Sequence, residues 1–143
     1  MSNTLNFAPT QPARRPLRAG LWVAQLLVFT SFTLFGGMKL FMPVDQLAAM
    51  WVWPGAVPPW FLRLMGLIDI AGGFGVLLPA LTRIQPRLTV LAALGCVLLQ
   101  MAAIIFHSSR GEASVVPLNI ILLALSAFIL WGRSKKAPIP SRG

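Results

Sequence analysis

The chain has 143 residues, of which 57% are hydrophobic and only 10% are charged, and its mean hydropathy is +0.77. Soluble domains average about 25% charged residues, so the composition excludes an ordinary soluble domain and predicts one small integral membrane protein. Twelve basic residues against three acidic residues give a formal charge of +9. The basic residues lie mostly between and beyond the apolar segments, which favours a role in membrane orientation. We therefore expect the lipid bilayer, and no nucleic acid, as a partner.

Four apolar segments are each about long enough to cross a bilayer as a helix, which takes ~20 residues. In chain order, the predicted spans cover about residues 21–41, 60–78, 87–106 and 115–131. The second span is predicted to end before Pro79, because proline cannot continue a helix interior. The sequence thus predicts an all-α fold, an integral membrane four-helix bundle over residues 20–132. Flexible basic tails are predicted at 1–19 and 133–143.

The distribution of basic residues predicts the orientation of this bundle. The two tails and the turn between the second and third spans together carry nine basic residues. The other two loops contain Arg110, Asp45 and Glu112. Because cytoplasmic loops carry an excess of lysine and arginine, both termini are predicted to be cytoplasmic.

The loop between the first two spans is rich in tryptophan, with Trp51, Trp53 and Trp60. These residues can form an interfacial aromatic belt, because indole rings favour the headgroup region. They can also form a lid over the outer mouth of the bundle. A short amphipathic turn predicted around residues 44–53 is compatible with both interpretations.

Asp69 is the only acidic residue in the second span. A carboxylate within a membrane costs ~2.5–3.5 kcal/mol on insertion scales, so such residues usually face protein or a polar cavity. Gly66 and Gly73 lie three and four residues away, on the same helix face, where they allow a neighbouring helix to approach. We therefore expect Asp69 to face a neighbouring helix.

Every span contributes a polar side chain to the predicted outer half of the bundle. In the first span, Lys39 follows Gly36, a further predicted helix-packing glycine, by three residues. We predict a polar pocket near Asp69, with either Lys39 or Arg63 as the counter-ion. The candidate pocket residues are Lys39, Arg63, Asp69, Gln100, His107 and Asn119. Taken singly, each has a structural alternative. Lys39 and Arg63 can be bases that reach the headgroups, and Gln100 and Asn119 can form interhelical hydrogen bonds worth ~0.6–2 kcal/mol. His107 can mark the end of the third span, and Asp69 can belong to an ion pair that only holds helices together.

The single cysteine, Cys96, lies within an apolar segment. One cysteine permits neither an intramolecular disulfide nor a dithiol motif, so we expect a small buried apolar residue. The sequence also contains no cluster of metal-ligand residues, and no metal site is expected.

Several of these residues fall in motifs that resemble the DoxX and DoxX-like families of small four-span membrane proteins. The G-x-x-K-L pattern falls on Gly36–Leu40, and the longer glycine-rich pattern that ends in L-L-P runs over Arg63–Pro79. The family more often has Glu where this chain has Asp69. A late histidine, His107, and the N-x-x-L-L pattern at Asn119–Leu123 complete a resemblance that covers roughly residues 25–133. The resemblance implies a four-helix bundle in the cell (inner) membrane.

Three functional hypotheses follow. The resemblance implies a membrane subunit associated with a quinone-linked or thiol/oxidative-stress redox system. The cofactor is unknown, with quinone as a possibility, and electrons would come from a redox partner protein. The second hypothesis is a non-enzymatic ligand-binding or membrane-protein assembly factor. The third is a small proton-coupled transporter, which would need an oligomer. Catalytic activity of the chain by itself is not expected.

Overall fold

The computed structural model describes residues 15–142, and its regular elements in that range are all helical. The α-helices are α1 (Arg15–Phe41), α2 (Val44–Trp51), α3 (Pro59–Thr82), α4 (Arg87–Ser109) and α5 (Val116–Trp131). A short 3₁₀ helix, Trp53–Gly55, follows α2, and a π-helical turn, Gly132–Lys136, continues α5. The helices α1, α3, α4 and α5 with its π-helical turn are long and apolar enough to cross a membrane. This confirms the predicted all-α, four-span fold. Residues 1–14 of the predicted N-terminal tail lie outside the described residues.

The prediction that Pro79 ends the second span is wrong, because α3 continues to Thr82. Proline removes a backbone donor from the helix, and in membrane helices neighbouring side chains supply the missing hydrogen bonds. The carbonyl that Pro79 leaves without a backbone donor is that of Gly75, four residues earlier, and next to it Gln25 Nε2 donates to Val76 O at 2.9 Å. Pro79 thus lies within α3, beside a side-chain hydrogen bond from α1.

Glycines bring α1 and α3 into close contact. A Cβ atom on Gly36 would lie 2.8 Å from Gly66 O, and one on Gly66 would lie 2.8 Å from Gly36 O. Further along the same face, a Cβ on Gly73 would lie 3.1 Å from Thr33 Oγ1 and 3.2 Å from Phe29 O. Any side chain at Gly36 or Gly66 would push the two backbones apart. The glycine face of α3, which also carries Asp69, thus packs against α1.

The buried apolar residues form two clusters. The larger cluster lies between the four spans, from their middle toward the start of α1 and the end of α5, and contains Ala24, Val28, Phe32, Val76, Ala93, Cys96, Leu122 and Ile129. The smaller cluster lies beneath α2 and contains Leu47, Trp53 and Leu62. We call this side of the bundle the α2 end, and the opposite side, where α1 begins and α5 finishes, the tail end.

The C-terminal segment lies across the tail end. Ala137 is buried, and the backbone N–H of Arg142 donates to Arg83 O at 2.8 Å. Arg83 is the left-handed residue that ends α3, with φ 57°. The segment therefore runs from the end of α5 to the turn between α3 and α4.

Candidate functional site

The counter-ion of Asp69 is Lys39. Lys39 Nζ lies 2.5 Å from Asp69 Oδ2, and the two side chains are only 16% and 8% exposed. The glycine contact between α1 and α3 sets this geometry, because a Cβ on Gly36 would lie 3.0 Å from Asp69 Cβ and one on Gly66 would lie 3.0 Å from Lys39 Cβ. The ion pair is thus a consequence of close helix packing.

Arg63 has a different role. Its Nη1 donates to Lys39 O at 2.6 Å and to Met42 O at 2.8 Å, at the end of α1. The last carbonyls of a helix have no partner within the helix, and a cation there is also favoured by the helix dipole. Arg63 therefore caps α1 and holds the backbone that carries Lys39. Among the predicted pocket residues, it is the one that lies outside the cavity described next.

A cavity of about 390 Å³ lies between the spans at the α2 end. Its walls are mostly apolar, with the aromatic residues Phe32, Phe35, Trp51, Trp53, Phe61 and Phe106. The predicted pocket residues that line it are Lys39, Asp69, Gln100, His107 and Asn119. Such a cavity, apolar with a few placed polar groups, is typical of a small-molecule binding site.

The structure separates the three tryptophans of the first loop. Trp51 and Trp53 line the cavity, whereas Trp60 is 67% exposed at the surface. The Trp53 ring lies beside Lys39 and His107, with its centroid 5.6 Å from Lys39 Nζ and 6.0 Å from the centroid of the His107 ring. Val52 joins the two cavity tryptophans with φ 61° and ψ −54°, a strained backbone conformation for a β-branched residue. Trp51 and Trp53 thus face the cavity and Trp60 faces the surface, and the lid and the belt stay predictions.

A second ionic cluster, at the end of α4, orients His107. His107 Nδ1 lies 2.6 Å from Glu112 Oε2, and Arg110 Nε donates to Glu112 Oε1 at 2.6 Å. Gly111 has φ 72°, which reverses the chain after α4. Glu112 N then donates to His107 O at 2.9 Å and Gly111 N to Ser108 O at 3.2 Å, the two bonds of a Schellman motif. The turn brings the carboxylate of Glu112 back to the imidazole.

Glu112 is the site residue that the sequence analysis missed. Its partial burial acts to raise its pKa, but hydrogen bonds from Arg110 and His107, together with their charges, outweigh this effect and hold the pKa below the ordinary value of 4.5. The carboxylate is therefore ionised at neutral pH. Its contact with Nδ1 fixes the imidazole ring and leaves Nε2 as the nitrogen available to a ligand.

Gln100 adds a buried polar group on the cavity wall. Its Oε1 has no hydrogen-bond partner within residues 15–142. A buried acceptor of this kind is normally satisfied by protein, water or ligand. The polar groups that a ligand would meet are thus an ammonium paired with a carboxylate, an imidazole and two amides.

Cys96 is buried and lies beside α3, where a Cβ on Gly72 would be 3.1 Å from Cys96 Sγ. It packs as a small apolar residue within the larger cluster. The described residues contain no group of three or more His, Cys, Asp or Glu side chains that could hold a metal ion.

The DoxX-like family model matches residues 23–129. This range contains all five polar residues of the cavity wall and both halves of the glycine contact. No curated protein and no solved structure matches the chain. Because the family model covers most of its length, the chain belongs to the DoxX-like family.

Proposed function

We propose that this multi-pass membrane protein is a subunit of a redox-associated system in the cell inner membrane and binds a quinone-class compound in the cavity at the α2 end. The observation that carries the proposal is the combination of aromatic walls with a few polar groups in a volume of about 390 Å³. A quinone head group is a flat ring with two oxygen acceptors, which needs apolar surfaces on its faces and donors at its edge.

Two side chains on either side of Trp53 can supply these donors. The Lys39 ammonium has three N–H groups and uses one toward Asp69, so the others can point to a ligand oxygen. The His107 ring is fixed through Nδ1, so Nε2 is the nitrogen left for a ligand, and it donates to a second oxygen when both ring nitrogens carry hydrogen. The chain contains a single cysteine and no dithiol, so electrons would be supplied by a partner protein.

A second candidate is ligand binding without electron transfer, including a role in membrane-protein assembly. The mutual neutralisation of Lys39 and Asp69 favours it. A pair that is already satisfied can hold the helices and bind a neutral ligand without any proton movement.

The test uses a cavity-filling variant with a matched control. Ala103 lines the cavity, whereas Ala124 lies on the exposed surface of α5. The purified protein in detergent is titrated with a short-chain soluble quinone, and tryptophan fluorescence is recorded. We expect saturable quenching in the wild type and in Ala124→Phe, and at least about tenfold weaker binding, or 1.4 kcal/mol, in Ala103→Phe.

Equal, non-saturating quenching in all three proteins contradicts binding in the cavity. The redox part is tested separately by solvent extraction of protein purified from native membranes. A stoichiometric quinone in the wild type, absent from Ala103→Phe, supports the first candidate. Saturable binding of the short-chain quinone, with no quinone in the extract, supports the second candidate, ligand binding without electron transfer.

A further inference from the structure

At the tail end, the structure buries an arginine. Arg133 is 5% exposed, although it lies two residues beyond the end of α5 in a basic segment. Its Nε donates to Gln25 Oε1 at 2.8 Å, its Nη1 donates to Ala137 O at 3.0 Å, and its guanidinium lies 5.0 Å from the Trp22 ring centroid. Its Nη2 is buried and has no hydrogen-bond partner in the part of the chain that the structure describes.

No acidic side chain neutralises this guanidinium. The chain has only three acidic residues. Asp69 on α3 is paired with Lys39 on α1, and Asp45 and Glu112 lie at the α2 end. The neighbouring charge that acts on Arg133 is instead the like charge of Arg18. A buried charge without an opposite charge is costly, and truncating one partner of a buried pair is costly for the same reason.

Two ordinary explanations account for only part of this arrangement. Basic residues accumulate at the cytoplasmic ends of membrane helices, and they also stabilise the carbonyls of a helix C-terminus. These effects explain the exposed Lys135 and Lys136, and they explain the bond from Arg133 Nη1 to Ala137 O. They do not explain why Gln25 holds the guanidinium inside the bundle while one donor nitrogen is unused.

We propose that Arg133 and Arg18 bind a phosphate group at the tail end, supplied by the headgroup of an anionic phospholipid or by free phosphate. The guanidinium of Arg133 suits phosphate because its unused Nη2 carries two N–H donors that can form charge-assisted hydrogen bonds with phosphate oxygens. Gln25 and Trp22 fix the plane of the Arg133 guanidinium. Arg18 is exposed on the first turns of α1 and adds the second positive charge.

Binding requires a small local movement. Protein atoms cover Nη2, so a phosphate oxygen reaches it when the exposed Arg18 side chain or the C-terminal segment shifts. That segment is anchored across the tail end by the bond from Arg142 N to Arg83 O. Because the site lies where α1 begins and α5 ends, we expect it near the phospholipid headgroups.

The experiment measures the Tm of the full chain in neutral detergent. Phosphatidylglycerol is compared with phosphatidylcholine at equal mole fraction, and sodium phosphate is compared with sodium chloride at equal ionic strength. We expect a rise of about 5 °C in the wild type with phosphatidylglycerol or with phosphate. A rise with phosphatidylglycerol identifies a lipid headgroup as the source of the phosphate group, and a rise with sodium phosphate identifies the free anion.

Matched variants distinguish phosphate binding at this site from general attraction of anions to the basic residues. Arg133→Gln and Lys135→Gln remove the same charge two residues apart, from a buried and an exposed position respectively. The rise should disappear in Arg133→Gln and persist in Lys135→Gln. Arg18→Gln, which leaves the buried network intact, should reduce the rise and covers the case in which Arg133→Gln does not fold. Equal rises in all variants, or no rise with either anion, overturn the proposal.

Discussion

The ion pair between Lys39 and Asp69 gives the sharpest prediction. Asp69→Asn leaves the mostly buried ammonium of Lys39 without its counter-ion, 2.5 Å from where the carboxylate oxygen lay. Removing one partner of a buried pair typically costs 3–5 kcal/mol. Because the Lys39 side chain is 16% exposed and near the end of α1, it can partly reach solvent. We therefore expect a loss near the lower limit, about 3 kcal/mol.

The complementary variant should be at least as damaging. Lys39→Met leaves the more buried partner, Asp69, charged and without a cation. A carboxyl group can escape by taking up a proton, which for an ordinary aspartate at pH 7 costs about 4 kcal/mol. We expect a loss of about 4 kcal/mol. In Lys39→Met/Asp69→Leu both charges are gone, and stability should return to within about 1 kcal/mol of the wild type, because apolar replacement of a whole buried pair is often neutral.

The assay is reversible unfolding in mixed micelles, followed by helicity in circular dichroism. Asp45→Asn is the matched control, because Asp45 is exposed on α2 and its neutralisation should change the free energy of unfolding by less than about 0.5 kcal/mol. Two results refute the reasoning. One is wild-type stability in Asp69→Asn. The other is a double variant whose loss equals the sum of the two single losses, which means that the pair has no coupling energy.

Two further predictions concern the helix contact and the α4–α5 turn. Gly66→Ala places a methyl group 2.8 Å from the backbone oxygen of Gly36, so the free energy of unfolding should fall by about 1–3 kcal/mol. Gly95→Ala is the control, because nothing lies within 4 Å of the added methyl group, and an equal loss in both variants would contradict the contact. The folded-state pKa of Glu112 is lowered, so the ionised carboxylate stabilises the fold. This contribution is complete above the ordinary pKa of 4.5, and it is lost as the pH falls through the lowered pKa. The Tm of the wild type should thus decrease, as the pH falls below 4.5, more steeply than that of Glu112→Gln, and parallel curves would exclude this role.

The approximate positions of the four spans and the helix face that carries Asp69 were predictable, because both depend on local sequence patterns. Apolar length identifies a membrane helix, and the spacing of Gly66, Asp69 and Gly73 determines a shared face without knowledge of the neighbour. The choice of counter-ion was not predictable. Lys39 and Arg63 lie at similar depth, and only the contact between the α1 and α3 backbones decides which one reaches the carboxylate.

Glu112 shows where sequence patterns stop being sufficient. The charges of the α4–α5 loop do not indicate which side chain points back to His107. A glycine placed directly after a helix is nevertheless typical of a Schellman motif, in which the following residue returns to the last turn. Gly111 followed by Glu112 was therefore a usable signal for this contact. The burial of Arg133 had no comparable signal, because it depends on Gln25 from a distant part of the chain.

The two ends of the bundle differ in how their charges are balanced, and this difference determines what each end can bind. At the α2 end, Lys39 is matched by Asp69, while Glu112 lies between Arg110 and His107. An anionic ligand in the cavity would have to compete with a carboxylate for the Lys39 ammonium, whereas a neutral ring compound could add hydrogen bonds and leave the pair intact. The cavity is therefore suited to uncharged lipophilic molecules. Anions are expected at the tail end, where no acidic side chain faces Arg133.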